Sequence, residues 1–369
     1  MRALVVRPDG FGGVLQSGPA VRALATRASR VSLLCATPGA PAAGLLPHVD
    51  DVLVWDGPWD PGDGGGTGQL VRRLRAEAYD VALVLAPDGH SPLPAARLLR
   101  AADVHRVGAD CAAGDHDAYG RLARPHRSPP DGHGPWAARD PDVIAATARE
   151  PRPRGDGVRA PLDPWSRSPP GRDGTPPGPD AERGPLDLLH RRPPHQPEAR
   201  AALDTAEAMG FGLRTGDDGR LRVLPAPDTA GLTGNGPYLV VHPAGLAADA
   251  DRCARAVELL ADAGHRVVVT GGPAEEALTR RVGGATAVHV GGRTTPRQLT
   301  GVLRAADAVV TADPATAQLA AAVATPVVSL TGTWTPYKVP AILLDGSAAA
   351  PFTPEDVLRA VRKLLTAGE

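Results

Sequence analysis

Aromatic side chains are scarce, at 3% of 369 residues, so any core must be filled by small aliphatic groups. The apolar 42% is mostly Ala, Val and Leu, which suits the layers of an α/β fold. Lysine is almost missing: Lys338 and Lys363 are the only two, and neither follows a glycine, which excludes a P-loop. The three cysteines, Cys35, Cys111 and Cys253, lie far apart and match no metal-ligand spacing. A reduced, cytoplasmic setting is therefore expected. No apolar run approaches the ~20 residues of a membrane span. The apolar start, Met1 to Val6, is too short for a signal peptide, and Asp9 interrupts it. A net charge of −1 offers no global field for nucleic acid or an anionic membrane. Peripheral contact with the inner face of the cytoplasmic membrane stays open.

The length predicts two domains. Short apolar runs alternate with helical patterns, the mark of parallel sheets. Ala3 to Val6 predicts a buried strand, followed by the glycine-rich turn Arg7 to Gly13 and an amphipathic stretch, Val14 to Ala25. Pro19 either kinks that helix or opens it, with Ser17 as cap. Gly10 and Gly12 are spaced for a dinucleotide turn, but the third position is Leu15, which argues against a nicotinamide enzyme. Further strands are expected at 31–34, 49–55, 79–85 and 104–108, with helices at 69–78 and 94–101 and a flexible turn at 60–68.

From Arg121 to Pro185 the pattern breaks into Pro, Gly, Arg and Asp, with only 142–149 looking helical. Such a stretch cannot bury enough apolar area to order itself, so it is expected to be largely disordered. Asp115-x-Asp117, Asp140-x-Asp142 and Asp249-x-Asp251 have a spacing used to hold a metal on nucleotide sugars. None follows a strand, so no metal site is expected.

The pattern returns in the second half, where Ala305 to Leu330 is the most informative stretch. An apolar strand leads through Asp313 and Pro314 into an Ala-rich helix, which Thr325-Pro326 ends before another strand. Such a turn lies at the carboxyl end of a strand and the amino end of a helix, where free N–H groups favour phosphate. Asp313 also reads simply as a helix N-cap. Upstream, Tyr238 to Val241 leads into His242-Pro243-Ala244-Gly245, and His265 to Pro273 is a strand closing on Gly271-Gly272-Pro273. Thr353 with Asp356 predicts a capping box for a last helix at 355–365.

Three of these segments together resemble glycosyltransferase family 9, the ADP-heptose:lipopolysaccharide heptosyltransferases. The first turn matches through Arg7, Asp9, Gly12, Val14, Pro19, Ala20, Ala23 and Leu24. The Gly-Gly-Pro turn matches almost throughout. Ala305 to Leu330 matches through Asp313, Leu319, Ala320, Ala321, Thr325 and Pro326. The resemblance covers about 1–110 and 186–366. It departs in three places: Gly13 replaces an acid, Pro314-Ala315 replaces Thr-Gly, and Gln318 replaces His.

The resemblance implies the GT-B architecture, two Rossmann-like α/β domains facing a cleft. It places an acceptor-side domain at 1–120, an insertion at 121–185, a nucleotide-sugar domain at 186–350 and a terminal helix at 351–369. It implies metal-independent, inverting transfer of a heptose-like or hexose sugar from a nucleotide-diphosphate sugar to a hydroxyl of a glycan or glycolipid, as in cell-envelope biosynthesis, with no cofactor. The family's presumed base sits where this chain has Gly13, which leaves Asp9 as the nearest acid in the loop formed with Arg7, Gly12 and Gly13. Asp9 also reads as a brace of its own turn. Donor binding is implied for His242, Arg252, Gly271, Glu275, Thr294, Asp313, Thr316 and Gln318. Arg252 reads equally as a helix-surface residue and Glu275 as a first-turn acid favoured by the helix dipole. A binder without turnover and a sugar-nucleotide epimerase of the same architecture are the alternatives. The epimerase needs carboxylates around a histidine, for which His242 is a candidate.

Overall fold

The computed structural model describes residues 1–56, 67–112, 185–193, 195–331, 335–344 and 351–367. The expected disordered stretch from 121 to 184, its short helix and most of the 60–68 turn lie outside them.

The first sheet holds β1 (Arg2–Arg7), β2 (Arg30–Cys35), β3 (Asp51–Val54), β4 (Val81–Leu85), β5 (Arg106–Ala112) and β6 (Leu188–Arg192). The helices that accompany it are α1 (Phe11–Gln16), α2 (Gly18–Leu24), α3 (Ala40–Ala43), α4 (Thr67–Glu77), α5 (Leu93–Ala101) and α6 (Glu198–Ala208). After the short α7 (Ala230–Thr233), the second sheet collects β7 (Leu239–His242), β8 (Val267–Val269), β9 (Val288–His289), β10 (Ala308–Thr311), β11 (Val327–Ser329) and β12 (Ala341–Leu343). Its helices are α8 (Ala250–Asp262), α9 (Glu276–Gly283), α10 (Pro296–Arg304), α11 (Pro314–Ala322) and α12 (Pro354–Thr366).

Both sheets are six-stranded and parallel, in the orders β3-β2-β1-β4-β5-β6 and β12-β11-β10-β7-β8-β9. Each is the doubly wound order, with its reversal between β1 and β4 in one and β7 and β10 in the other. The central runs of the inner strands, Ala3 to Val6, Val81 to Leu85 and Ala308 to Val310, are apolar because helices cover both faces. Leu70, Leu74, Ala96 and Leu99 of α4 and α5 fill one face of the first sheet, and Val257, Leu260, Val361 and Leu364 of α8 and α12 fill one face of the second. Between the sheets one continuous core joins Phe11, Val14 and Leu15 of α1 to Ala317, Leu319 and Ala320 of α11.

Two expectations need correcting. Leu188–Arg192 pairs in register with Gly108–Ala112. Strand β6 and the following α6 therefore belong to the first sheet, and a boundary at 186 falls one strand and one helix too early. The stretch from 14 to 25 is two helices broken at Ser17. Pro19 sits in the first turn of the second, where its missing N–H costs nothing. The Ser17 hydroxyl donates back to the Val14 carbonyl at 2.6 Å and so caps nothing.

Candidate active site

The carboxyl ends of the first sheet's strands carry a set of paired charges. Arg7 closes β1 and is 1% exposed. Its Nη2 donates to Asp9 Oδ2 at 2.8 Å and also to Glu198 Oε2 of α6. Burial works against the Arg7 charge, but Glu198, Asp9 and Asp110 outweigh it, so its pKa is raised. Glu198 also accepts from Gln16 Nε2 at 3.1 Å. Arg192, at the end of β6, pairs with Asp88 beyond β4 and stands 3.8 Å from both Asp110 and Glu198. Asp110 is a carboxyl between the buried Ala109 and Cys111 of β5; desolvation pushes it up to about 6, against the pull of Arg7 and Arg192.

Asp9 is the most open carboxylate on this side that belongs to the turn itself, its side chain 34% exposed. It is fixed by Arg7 and by the Gly10 N–H, which donates to Oδ1 at 2.6 Å. Its carboxylate lies directly over Gly13: a Cβ added there would meet Asp9 Oδ2 at 2.1 Å. Gly12 faces the other half of the molecule, where its added Cβ would stand 3.3 Å from Ala315 Cα. The first turn and the amino end of α11 are therefore in contact.

In the second sheet the reversal between β7 and β10 brings His242 next to Asp313. His242 closes β7, is fully buried, and sets Nδ1 2.8 Å from Thr270 Oγ1. Burial pushes its imidazole below its ordinary pKa, opposed by Asp313 and Glu275. Asp313 caps α11: it accepts from Ala315 N at 3.2 Å, Thr316 N at 2.9 Å and Thr316 Oγ1 at 2.6 Å. Glu275 turns back to the Gly271-Gly272 turn and accepts from Gly272 N at 2.8 Å. Thr294 is buried, and its hydroxyl has no hydrogen-bond partner among the described residues. Gln318 is buried one turn into α11, where its Oε1 accepts a long 3.4 Å bond from Tyr337 N.

The structure thus gathers His242, Gly271, Glu275, Asp313 and Thr316, and gathers Arg7, Asp9, Gly12 and Gly13. Among the described residues, Arg252 makes no hydrogen bond or ion pair with the first group. It is paired with Asp249 and lies over the Phe352 ring at 5.4 Å, as a side chain braced on its own helix surface. Asp251 is likewise held by Arg281. Sequence reasoning missed Glu198, Arg192, Asp110 and Thr270. For Asp110 and Thr270 a signal existed: each is a polar residue in or ending an apolar strand.

A family model matches over part of this second half. The match is to glycosyltransferase family 9 (heptosyltransferase), over residues 249–347. The segment runs from the residues before α8 through the Asp313 turn to the end of β12. A search of curated proteins finds no match. Among solved structures, a family 9 glycosyltransferase from Veillonella parvula is similar with a TM-score of 0.65 at 13% identity, covering 99% of this chain and 97% of that one. E. coli heptosyltransferase WaaC with ADP-2-deoxy-2-fluoro heptose gives 0.62 at 17% identity, with both chains covered completely. E. coli ADP-heptose lipopolysaccharide heptosyltransferase II gives 0.60 at 17% identity, covering 100% and 99%. The fold is GT-B, and the segment at 249–347, which holds the Asp313 turn, is similar to family 9. No helix of the described residues is long and apolar enough to cross a membrane.

Proposed function

We propose that this chain is a glycosyltransferase that moves a sugar from a nucleotide-diphosphate donor to a hydroxyl of a glycan or glycolipid acceptor, on the cytoplasmic side. The donor lies against the His242, Gly271, Glu275, Asp313 and Thr316 group, and the acceptor over the Arg7 to Gly13 turn. Asp9 is the base. It takes the proton of the acceptor hydroxyl as the new bond to the anomeric carbon forms. The old carbon–oxygen bond breaks on the opposite face, and the nucleoside diphosphate leaves with its electron pair. One base and one displacement give inversion, and the residues assigned here require no metal or cofactor.

The observation that carries this reading is the Asp9 carboxylate standing over Gly13. The family resemblance puts its acid at residue 13. Here a carboxylate occupies that place from four residues upstream, half-exposed and held by Arg7 and Gly10. General-base assistance contributes about 10²–10⁴ in rate. Asp9→Asn should lower turnover by about that factor, while donor affinity, measured by calorimetry across a panel of nucleotide sugars, stays within a few-fold. Unchanged turnover would make Asp9 a structural brace.

One observation favours a second reading, a nucleotide-sugar binder without turnover. Pro314 carries no N–H, and the next two N–H groups of α11 are spent on Asp313. The discriminating result is donor binding with no product from any acceptor in the parent, and none from Gly13→Asp combined with Asp9→Gly.

A further inference from the structure

The amino end of α11 is where a bound diphosphate would look for N–H donors, and the helix keeps none in reserve. Pro314 has no N–H. The next two N–H groups donate to the Asp313 carboxylate, and the Ala317 N–H donates to the Asp313 carbonyl at 3.1 Å. A phosphate can reach the Ala315 and Thr316 donors only if the Asp313 carboxylate gives them up. Losing an N-cap of this kind destabilises the helix end, which a charged ligand at a helix terminus can offset. The displaced carboxylate then needs a partner of its own.

His242 is placed to be that partner. Its Nε2 is buried, has no hydrogen-bond partner among the described residues, and stands 4.0 Å from Asp313 Oδ2. A movement of about 1 Å would bring the two to hydrogen-bond distance. With Nδ1–H donating to Thr270 Oγ1, the neutral ring turns a lone pair toward Asp313, and the two repel. A proton on Nε2 converts that contact into an ion pair. The charged groups facing the ring are Asp313 at the amino end of α11 and Glu275 beyond β8. Both are carboxylates and both favour the imidazolium, so only burial holds the proton off.

We propose that His242 is a positioning residue for the donor: when a nucleoside diphosphate docks on α11, His242 Nε2 takes a proton from solvent and holds the Asp313 carboxylate that the phosphate displaces. This rests on the donor reading above. The proton bound at Nε2 offsets the negative charge brought by the ligand. The hydrogen bonds from Ala315 and Thr316 pass from Asp313 to phosphate oxygens, so no donor is left unpaired.

Calorimetric titration of the full chain tests this, with ADP and with UDP, in buffers of different ionisation enthalpy. At about pH 7.5 the phosphates are mostly ionised, since the second ionisation lies near ~6. The parent should take up ~0.5–1 proton per nucleotide. His242→Gln, which cannot be protonated, should take up none and bind roughly tenfold more weakly. Asp313→Asn keeps one of the two cap-acceptor oxygens but removes the charge that the proton answers, and should also take up none; it decides the matter if His242→Gln does not fold. Nucleotide binding to the parent without proton uptake, or equal uptake by either variant, would overturn the exchange and leave the donor reading standing. Failure of both nucleotides to bind the parent at millimolar concentration would overturn both.

Discussion

At the residue scale the tightest constraint is at Gly13. A Cβ there would stand 2.1 Å from Asp9 Oδ2 and 2.8 Å from Arg7 Nη2, closer than real contacts allow. An acid at 13 and the present Asp9 conformation therefore exclude each other. Gly13→Asp alone should displace Asp9, cost about 1–3 kcal/mol by overpacking, and fail to raise turnover. Combined with Asp9→Gly, which vacates the space, it should recover activity relative to Asp9→Gly alone, measured as product formed under the same donor conditions. Asp110 allows a test by pH. Its folded value, about 6, lies above the ~3.9 of an unfolded Asp. A raised carboxyl favours the folded state at acid pH, and that advantage is lost as pH rises through about 6. Asp110→Asn should flatten the melting temperature between about pH 4 and pH 6, as followed by thermal denaturation.

At the element scale, α1 and α11 meet through small residues, Gly12 against Ala315, and their contact brings the two candidate half-sites together. Gly12→Leu should wedge the helices apart, lowering stability by about 1–3 kcal/mol and weakening nucleotide binding; chemical denaturation and titration check the two effects. Much of this level was legible. The strands at 3–6, 81–85 and 308–311 are apolar runs bounded by turn residues, and Thr353 with Asp356 forms the expected capping box. Strand β6 was not legible as part of the first sheet. Its Leu-Leu-His-Arg-Arg sequence is only partly buried at the sheet's edge, so it lacks the apolar signature of an inner strand. Strand β12 is three residues of a half-covered edge, too short to give a period. The charged set around Arg7 was half legible: Arg7 and Asp9 share a turn, whereas Glu198, 191 residues from Arg7, meets it only through topology.

At the scale of the whole molecule, the two sheets are tied by the segment between α6 and β7 as well as by the core. Arg22 of α2 donates to both oxygens of Asp217, at 2.7 and 3.0 Å, and to the Arg220 carbonyl at 2.8 Å. The Leu224 N–H donates to the Leu45 carbonyl at 2.7 Å. The hydrogen bonds from Arg22 hold the Asp217 carboxyl down at about 2. A lowered carboxyl stabilises the fold above its unfolded value, ~3.9, and loses that contribution as pH falls through about 2. Asp217→Asn should therefore cost about 2 kcal/mol at neutral pH and little near pH 2, measured by denaturant melts at both.

The partnership of β5 with β6 also bears on how the chain folds. The two strands are neighbours in register, yet residues 113–187 intervene between them. A parallel crossover needs only about a dozen residues. The separation here is several times that, and a larger sequence separation between contacting residues slows folding. During synthesis, the first sheet cannot acquire β6, or the Arg192 and Glu198 charges that meet Asp110 and Arg7, until residue 198 has emerged. Until then β5 is an unpaired edge, and Arg7 and Asp110 stand without those partners. Shortening the connection to about a dozen residues should speed the closing step and leave the strand register, and the Arg7 charge cluster, in place.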